Sequence, residues 1–261
     1  MTYLYELLAL EQWDMTPLSA GLFCLAAFIA GFAKTGLPGA TIVAVPLMAM
    51  VVPPKTSVGV LLPIYMIADV ISLCYWWRYA ERRCCFPYLL FVGLGIGGGS
   101  FVVGAVSDKT FGVIIGSLIL SLILLSLLTE ALRGRKPADI PEAPPLSFSA
   151  FFGFTAGLVS TLANAAGPIV SLYMILSRCE KFQFLGTTAV CAFFMNWAKI
   201  PLFVSLDAIN VNTLKLDAAA IPLVAAGAFA GYLLAKRIPQ KAFKNVVFVL
   251  AIAASLNLIF R

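Results

Sequence analysis

Three ionisable residues interrupt apolar stretches of this sequence, and their side chains are the first candidates for chemistry. Lys34, Asp69 and Lys199 each have mostly apolar neighbours. A charge at membrane depth is costly and usually marks a substrate or ion pathway. We therefore expect Lys34 and Lys199 to neutralise an anionic substrate and Asp69 to be a proton-binding or ion-coupling group. The alternative is an ion pair between Asp69 and one of the lysines that only holds helices together.

A Gly/Pro interruption occurs twice in apolar sequence. Residues 28–39 read FIAGFAKTGLPG, and residues 154–168 read FTAGLVSTLANAAGP. A shift of 126 positions aligns Phe28 with Phe154, Ala30 with Ala156, Gly31 with Gly157 and Thr35 with Thr161. Breaks at corresponding places in two halves of a membrane protein point to a transport site.

The two breaks also predict what the site binds. Irregular backbone is tolerated in a membrane only where it lines a cavity or contacts protein. The helix after each break begins near a proline, and its free N–H groups favour an anion. We predict an anion site, with close helix packing as the alternative use of Gly and Pro. The predicted substrate-binding residues are Lys34, Thr35, Gly36, Pro38, Gly39, Ser160, Thr161, Asn164, Gly167, Pro168, Asn196 and Lys199.

Composition indicates what must position these residues. Hydrophobic residues make up 61% of the 261 residues and charged residues 11%, which is too little polar surface for a soluble domain. Apolar runs near the roughly 20 residues that cross a bilayer recur throughout. They cover residues 57–77, 88–106, 111–129, 183–205, 218–235 and 243–260. The chain is predicted to be an all-α polytopic membrane protein.

A charged, proline-rich linker divides the chain into two similar halves. Residues 131–147 contain four prolines and five charged residues and are predicted to be extended. Weaker matches continue the repeat, with Gly59 on Gly186, Asp69 on Asn196, Ser72 on Lys199, Gly95 on Gly227, Gly99 on Gly231 and Phe111 on Phe243. We predict repeats at 18–130 and 148–261, joined by a cytoplasmic linker at 131–147. Residues 1–17 are expected to form a periplasmic or interfacial segment.

Loop charges predict how the repeats are oriented. The basic loops contain Arg78, Arg82 and Arg83, then Arg133, Arg135 and Lys136, then Arg178 and Lys181, then Lys236, Arg237, Lys241 and Lys244. The positive-inside rule places all four in the cytoplasm and both termini in the periplasm. Each broken segment must then enter and leave on one side.

The loop charges therefore predict two re-entrant hairpins that enter from opposite faces, with tips near the midplane. Each arm is expected to have about 14–16 residues, or roughly 21–24 Å. Three full spans follow each hairpin, so the repeats have inverted topology. The total is about eight membrane segments, or ten if hairpin arms are counted separately. The rival arrangement has four simple spans in each half.

The sequence lacks the residues that several classes of function require. Histidine is absent and the six cysteines show no CxxC spacing, so we predict no metal and no cofactor. The vicinal Cys84–Cys85 pair is interpreted as structural rather than reactive. The net charge of +6 is explained by cytoplasmic loops rather than by nucleic-acid binding. Without an acid/base or nucleophile cluster, the chain is not expected to be an enzyme.

Three segments resemble a known family. GFAKTGLPGATIVAVPLM at 31–48, AGPIVSLYMI at 166–175 and GTTAVCAFFMNWAKIPLF at 186–203 are similar to the TauE/SafE group of sulfite- and sulfonate-exporter-like permeases, also called the 4-toluenesulfonate uptake permease family. The resemblance covers about residues 18–260. It implies a bacterial inner-membrane secondary carrier for sulfite, sulfonates or related carboxylates.

Sequence and resemblance together lead to one main hypothesis. We expect a secondary transporter that moves a small anion by alternating access between the inverted repeats, with an anion channel of similar architecture as the alternative. Its expected partners are the anionic substrate and the lipid bilayer, with protons as a candidate coupling ion and a second copy of the chain as a candidate homodimer partner.

Overall fold

The computed structural model describes residues 16–132, 144–177 and 179–237, together with residues 252, 256, 259 and 260. In this part of the chain all regular structure is helical and no strand occurs, which confirms the predicted all-α class. The α-helices are α1 (Pro17–Gly36), α2 (Ala44–Ala49), α3 (Pro54–Trp76), α4 (Arg82–Ala105), α5 (Asp108–Leu132), α6 (Leu146–Ala163), α7 (Gly167–Leu176), α8 (Lys181–Ser205) and α9 (Val211–Arg237). Short 3₁₀ helices cover Pro38–Val43 and Trp77–Tyr79.

Six of these helices are long and apolar enough to cross a membrane, counted over the described residues. They are α1, α3, α4, α6, α8 and α9. The predicted runs 57–77, 88–106, 183–205 and 218–235 fall on four of them, and the run 111–129 falls on α5. Most of the run 243–260 lies outside the described residues. The protein is therefore a multi-pass membrane protein.

Local sequence explains where several helices begin. The Thr16 side chain accepts a hydrogen bond from the backbone N–H of Ser19 at 3.2 Å, and Pro17 occupies the first turn of α1, where its missing N–H is harmless. At the start of α8, the Glu180 N–H donates to Gln183 Oε1 at 3.0 Å, and the Glu180 carboxylate accepts in return, which is a capping box.

Each predicted break is a turn between two helices of unequal length. The first arms, α1 and α6, have 20 and 18 residues, roughly 30 and 27 Å at 1.5 Å per residue. The second arms are shorter, with α7 having 10 residues and the 3₁₀ helix and α2 having six each. The expectation of equal arms of 14–16 residues was therefore wrong. The helix α1 continues through Lys34 because an ion pair with Asp69 compensates that charge.

The first arm of each hairpin packs along a helix from the other half of the sequence. The helix α1 lies along α9, and α6 lies along α4. Glycine makes the close approach possible: a Cβ on Gly36 would lie 2.6 Å from the Gly231 oxygen, and one on Gly99 would lie 2.7 Å from the Thr161 Cβ. Small residues at helix crossings are the usual device for packing in membranes. The two halves are thereby interlocked.

Three connecting segments meet at one end of the bundle. The Glu81 N–H donates to Thr187 Oγ1 at 2.9 Å, and Gln183 Nε2 donates to Glu81 Oε2 at 3.2 Å. The Trp76 ring lies 5.6 Å from the Tyr232 ring near the end of α9. We call this the basic end, because the segments 77–83, 179–183 and 232–237 that form it contain arginine and lysine.

The opposite end of the bundle joins the start of α3 to the connection between α8 and α9. A Cβ on Gly59 would lie 2.6 Å from the Ala208 Cβ, so these segments are in close contact. The basic segments that follow α3 and precede α8 are thus separated from this end.

Candidate substrate site

Asp69 connects three helices inside the bundle. Its carboxylate is fully buried in α3, and Lys34 Nζ from the last turn of α1 lies 2.6 Å from Oδ1. Asn196 Nδ2 from α8 donates a hydrogen bond to Oδ2. A buried ion pair is tolerated when further hydrogen bonds satisfy its atoms. The structure thus forms one of the pairs that the sequence left open, Asp69 with Lys34 rather than with Lys199.

Lys199 is fully buried in α8 and has only neutral partners among the described residues. Its Nζ donates to the Ser160 carbonyl at 3.2 Å, to Ser160 Oγ at 2.9 Å and to Asn164 Oδ1. These oxygens accept hydrogen bonds from the amino group but carry no negative charge that would balance a proton on it. A buried cation without a counter-ion favours the binding of an anion close by.

Asn164 forms the turn of the second hairpin. Its backbone is left-handed, with φ 47° and ψ 26°, a conformation that asparagine tolerates better than most residues. Its N–H closes the last turn of α6 on the Ser160 carbonyl at 2.9 Å, and its side-chain Nδ2 donates to the Val58 carbonyl at 2.8 Å. Gly167 and Pro168 then begin α7, whose first N–H groups have no partner within the helix.

The first hairpin turn is fixed to its surroundings by backbone and hydroxyl groups. Thr35 Oγ1 donates to the Ala228 carbonyl at 2.7 Å, Trp76 Nε1 donates to the Thr35 carbonyl at 3.2 Å, and Ser72 Oγ donates to the Lys34 carbonyl at 2.9 Å. Pro38 and Gly39 belong to the 3₁₀ helix that follows. These contacts attach the turn to α9 and α3.

The predicted site residues divide into two groups. Lys34, Asp69, Ser160, Asn164, Gly167 and Asn196 line one cavity, and Lys199 contacts two of them. By contrast, Thr35 and Gly36 contact α9, and Thr161 Oγ1 donates to the Gly157 carbonyl within α6 at 2.9 Å. At Gly36 the glycine therefore serves close helix packing, which was the alternative to a role in anion binding.

The cavity is small and mixed in polarity. Its volume is about 40 Å³, room for water molecules or a small ion, whereas drug-sized ligands occupy roughly 300–1,000 Å³. It is lined by Lys34, Thr41, Asp69, Ser160, Asn164, Ala166, Gly167, Val170, Thr188, Ala189, Ala192, Met195 and Asn196.

Two polar residues of the cavity lining, Thr41 and Thr188, were not predicted from the sequence, and neither were its five apolar ones. Thr41 lies in the first hairpin just after the break, and its carbonyl accepts from the Tyr65 hydroxyl at 2.9 Å. Thr188 lies two turns before Asn196 in α8, and its buried hydroxyl has no hydrogen-bond partner in the described part of the chain. In the sequence, Thr188 could have been recognised only by its position eight residues before Asn196, which places both on one face of α8.

The two turns lie at different levels of the bundle. The first turn contacts α3 at Ser72, and the second contacts it at Val58. These positions are about 14 residues apart, or roughly 21 Å along the helix. The turns therefore pass one another instead of meeting at one level, which differs from the expected meeting of two tips. The longer first arms are the reason.

The described residues thus contain six helices long and apolar enough to cross a membrane and a small cavity of mixed polarity beside two hairpin turns, an arrangement typical of multi-pass membrane transporters. The family described as Sulfite exporter TauE/SafE matches residues 23–258, nearly the whole chain, and the chain belongs to this family. The resemblance found in the sequence is thereby confirmed. Neither a curated protein nor a solved structure matches the chain significantly. Family membership makes the protein a membrane transporter of sulfite or related anions.

Proposed function

We propose that the protein is a secondary active carrier that moves a small sulfur-containing or organic anion across the bacterial inner membrane by alternating access. One observation carries this proposal: fully buried Lys199 has only neutral partners in the described residues, and two of them, Ser160 and Asn164, line the cavity. An anion in the cavity supplies the missing counter-charge.

Charge balance at the cavity supports an anionic substrate. Two ammonium groups and one carboxylate, from Lys34, Lys199 and Asp69, leave one positive charge. The hydroxyl of Thr188 and the first N–H groups of α7 add hydrogen-bond donors of the kind that anions accept. The substrate-binding set is therefore proposed as the predicted residues at the cavity, which are Lys34, Ser160, Asn164, Gly167, Asn196 and Lys199.

Asp69 is proposed as the ion-coupling group. Its carboxylate shares Lys34 with the cavity, because the lysine both pairs with Asp69 and lines the cavity wall. An anion that draws the Lys34 ammonium toward itself leaves Asp69 without its counter-ion. A proton then neutralises the carboxylate, and release of the anion reverses both steps. Proton movement is thereby linked to anion movement.

Contacts that recur in both halves support the inverted repeat. Ser72 donates to the Lys34 carbonyl, and the aligned Lys199 donates to the aligned Ser160 carbonyl. The glycine crossing of α1 on α9 is likewise repeated by α6 on α4. We propose repeats at 18–130 and 148–261, each a hairpin and three spans, with the linker 131–147 and the basic end in the cytoplasm and both termini in the periplasm.

Transport in proteoliposomes tests the carrier. We expect saturable uptake of labelled sulfite, small sulfonates or small carboxylates that responds to an imposed proton gradient. Lys199→Met should lower uptake at least tenfold, whereas the matched control Lys215→Met, at an exposed lysine on α9, should not. Uptake by Lys199→Met with an unchanged KM would refute the site, and large unitary currents would show a channel instead.

A further inference from the structure

Four of the six cysteines gather where the first turn of α4 meets the second hairpin and α8. Cys84 Sγ lies 3.7 Å from Cys179 Sγ, and Cys85 Sγ lies 3.7 Å from Cys191 Sγ. Adjacent helical residues point about 100° apart, so each cysteine of the vicinal pair faces a different element. All four are free thiols, held in contact in two pairs.

The two pairs differ in how a reagent can reach them. Cys85 and Cys191 are both buried, with 5% and 0% exposure, inside the core. Cys179 is partly exposed in the segment between α7 and α8, at the basic end of the bundle. Its partner Cys84 is buried, with 0% exposure. Chemistry from the aqueous phase therefore begins at Cys179.

We propose that Cys84 and Cys179 form a redox-active dithiol that a hydroperoxide oxidises to a disulfide. The Cys179 sulfur attacks a peroxide oxygen and its proton passes to the leaving oxygen, which gives a sulfenic acid on Cys179 and releases an alcohol, or water from hydrogen peroxide. The Cys84 sulfur then attacks the sulfenic sulfur and expels water. Two thiols lose two electrons, and the peroxide gains them.

The geometry requires only a small movement for this bond. The sulfur atoms must close from 3.7 Å to the S–S length of about 2.05 Å. Cys179 lies in a connecting segment after α7, which can shift more readily than a helix interior. The Cys179 sulfur also lies 3.8 Å from Met174 Sδ, so it contacts two other sulfur atoms, those of Cys84 and Met174, which are polarisable.

The bond would attach both arms of the second hairpin to one helix. The first arm, α6, already packs along α4, and the disulfide would add the far end of α7 through Cys179. Because α7 begins at Gly167 in the cavity wall, the hairpin could no longer move relative to α4. Oxidation should therefore stop transport. This consequence rests on the proposed carrier function, whereas formation of the disulfide does not.

Peptide mapping tests the dithiol on protein in lipid nanodiscs. The exposed Cys24 and Cys74 are first replaced by serine. After hydrogen peroxide and alkylation, we expect a linked Cys84–Cys179 peptide that dithiothreitol reverses. The link should be absent in Cys179→Ser and retained in the control Cys191→Ser. Peroxide that yields only higher oxides of Cys179, or a link between other cysteines, would overturn the proposal.

Uptake assays on the same samples test the consequence. Peroxide should lower uptake at least tenfold in the protein with the four clustered cysteines, with recovery after dithiothreitol and no effect on Cys179→Ser. If the disulfide forms and uptake stays constant, the inference that this disulfide stops transport is wrong. If no tested anion is transported before oxidation, the proposed function fails, and peptide mapping still decides whether the dithiol exists.

Discussion

The ion pair between Lys34 and Asp69 makes a quantitative prediction about stability. The two atoms lie 2.6 Å apart, and the side chains are 12% and 0% exposed. Removing one charge leaves the other buried without a partner, which costs about 3–5 kcal/mol. Asp69→Asn and Lys34→Met should each destabilise the protein by that amount. Removing both charges should cost much less, because no uncompensated charge remains.

The substitutions isolate the charge from other contacts of the site. An asparagine at position 69 keeps an oxygen that accepts the hydrogen bond from Asn196. Methionine keeps most of the length and apolar stem of Lys34. In the double variant, the loss of unfolding free energy should be smaller than the sum of the single losses by about 3 kcal/mol. Titration with sodium dodecyl sulfate in mixed micelles, followed by circular dichroism, measures these free energies.

A second ion pair in the same protein serves as the control. Arg83 Nε lies 3.6 Å from Glu81 Oε1, with side chains 37% and 27% exposed. Water screens this pair, so the coupling in Glu81→Gln with Arg83→Met should stay below about 1 kcal/mol. If the buried pair couples no more strongly than this surface pair, the reasoning about Asp69 is refuted. A folded double variant should also fail to transport.

The remaining predictions concern the turns and a second buried carboxyl. Gly36→Ala should lower the free energy of unfolding by about 1–3 kcal/mol, since its Cβ would lie 2.6 Å from a backbone oxygen of α9. In the same titration Gly93→Ala should be neutral, because no atom lies within 4 Å of the position of its Cβ. Asn164→Asp should reduce anion uptake at least tenfold without unfolding, because a carboxylate would neutralise Lys199; unchanged uptake would contradict this. Asp217→Ala should not lower thermal stability, because both buried carboxylate oxygens lack a partner in the described residues and burying such a group costs about 1–3 kcal/mol. A clear fall in its melting temperature would show a contact that this reasoning omits.

Apolar run length and the repeated breaks predicted much of the fold. Both signals arise from the bilayer, which demands about 20 apolar residues for each span and allows irregular backbone only where protein covers it. Asp69 and Asn196, aligned by the repeat, are hydrogen-bonded in the structure. Arm length was not predictable in the same way. From the sequence, a lysine inside an apolar run is expected to end the helix, because its charge is costly in the membrane. In the structure Lys34 is paired with Asp69, 35 positions away, and the helix continues to Gly36.

The roles of small polar residues depend on packing that no local pattern encodes. Thr35 and Thr161 align in the repeat, yet both hydroxyls are bound to backbone carbonyls. Thr188, which has no signal beyond its spacing, instead has a hydroxyl in the cavity wall that finds no hydrogen-bond partner among the described residues. The contact between Cys84 and Cys179 joins segments 95 positions apart. Sequence can place such residues on helices, but only the packed bundle decides which ones meet.

The two halves carry different charges at aligned positions, and this difference is the basis of the proposed preference of the site for an anion. The first half supplies Lys34 and Asp69, which neutralise each other. The second half supplies Ser160 and Asn196 at the aligned positions, and Lys199, its ionisable residue beside the cavity, is aligned with Ser72 of the first half. If both halves had the residues of the first half, the site would contain two neutral ion pairs. If both had those of the second half, it would contain two lysines without a carboxylate. In the described residues, the ion pair of Lys34 with Asp69 therefore lies near Lys199, whose hydrogen-bond partners are all neutral, and the proposed anion binding and proton exchange would use these neighbouring groups of one cavity.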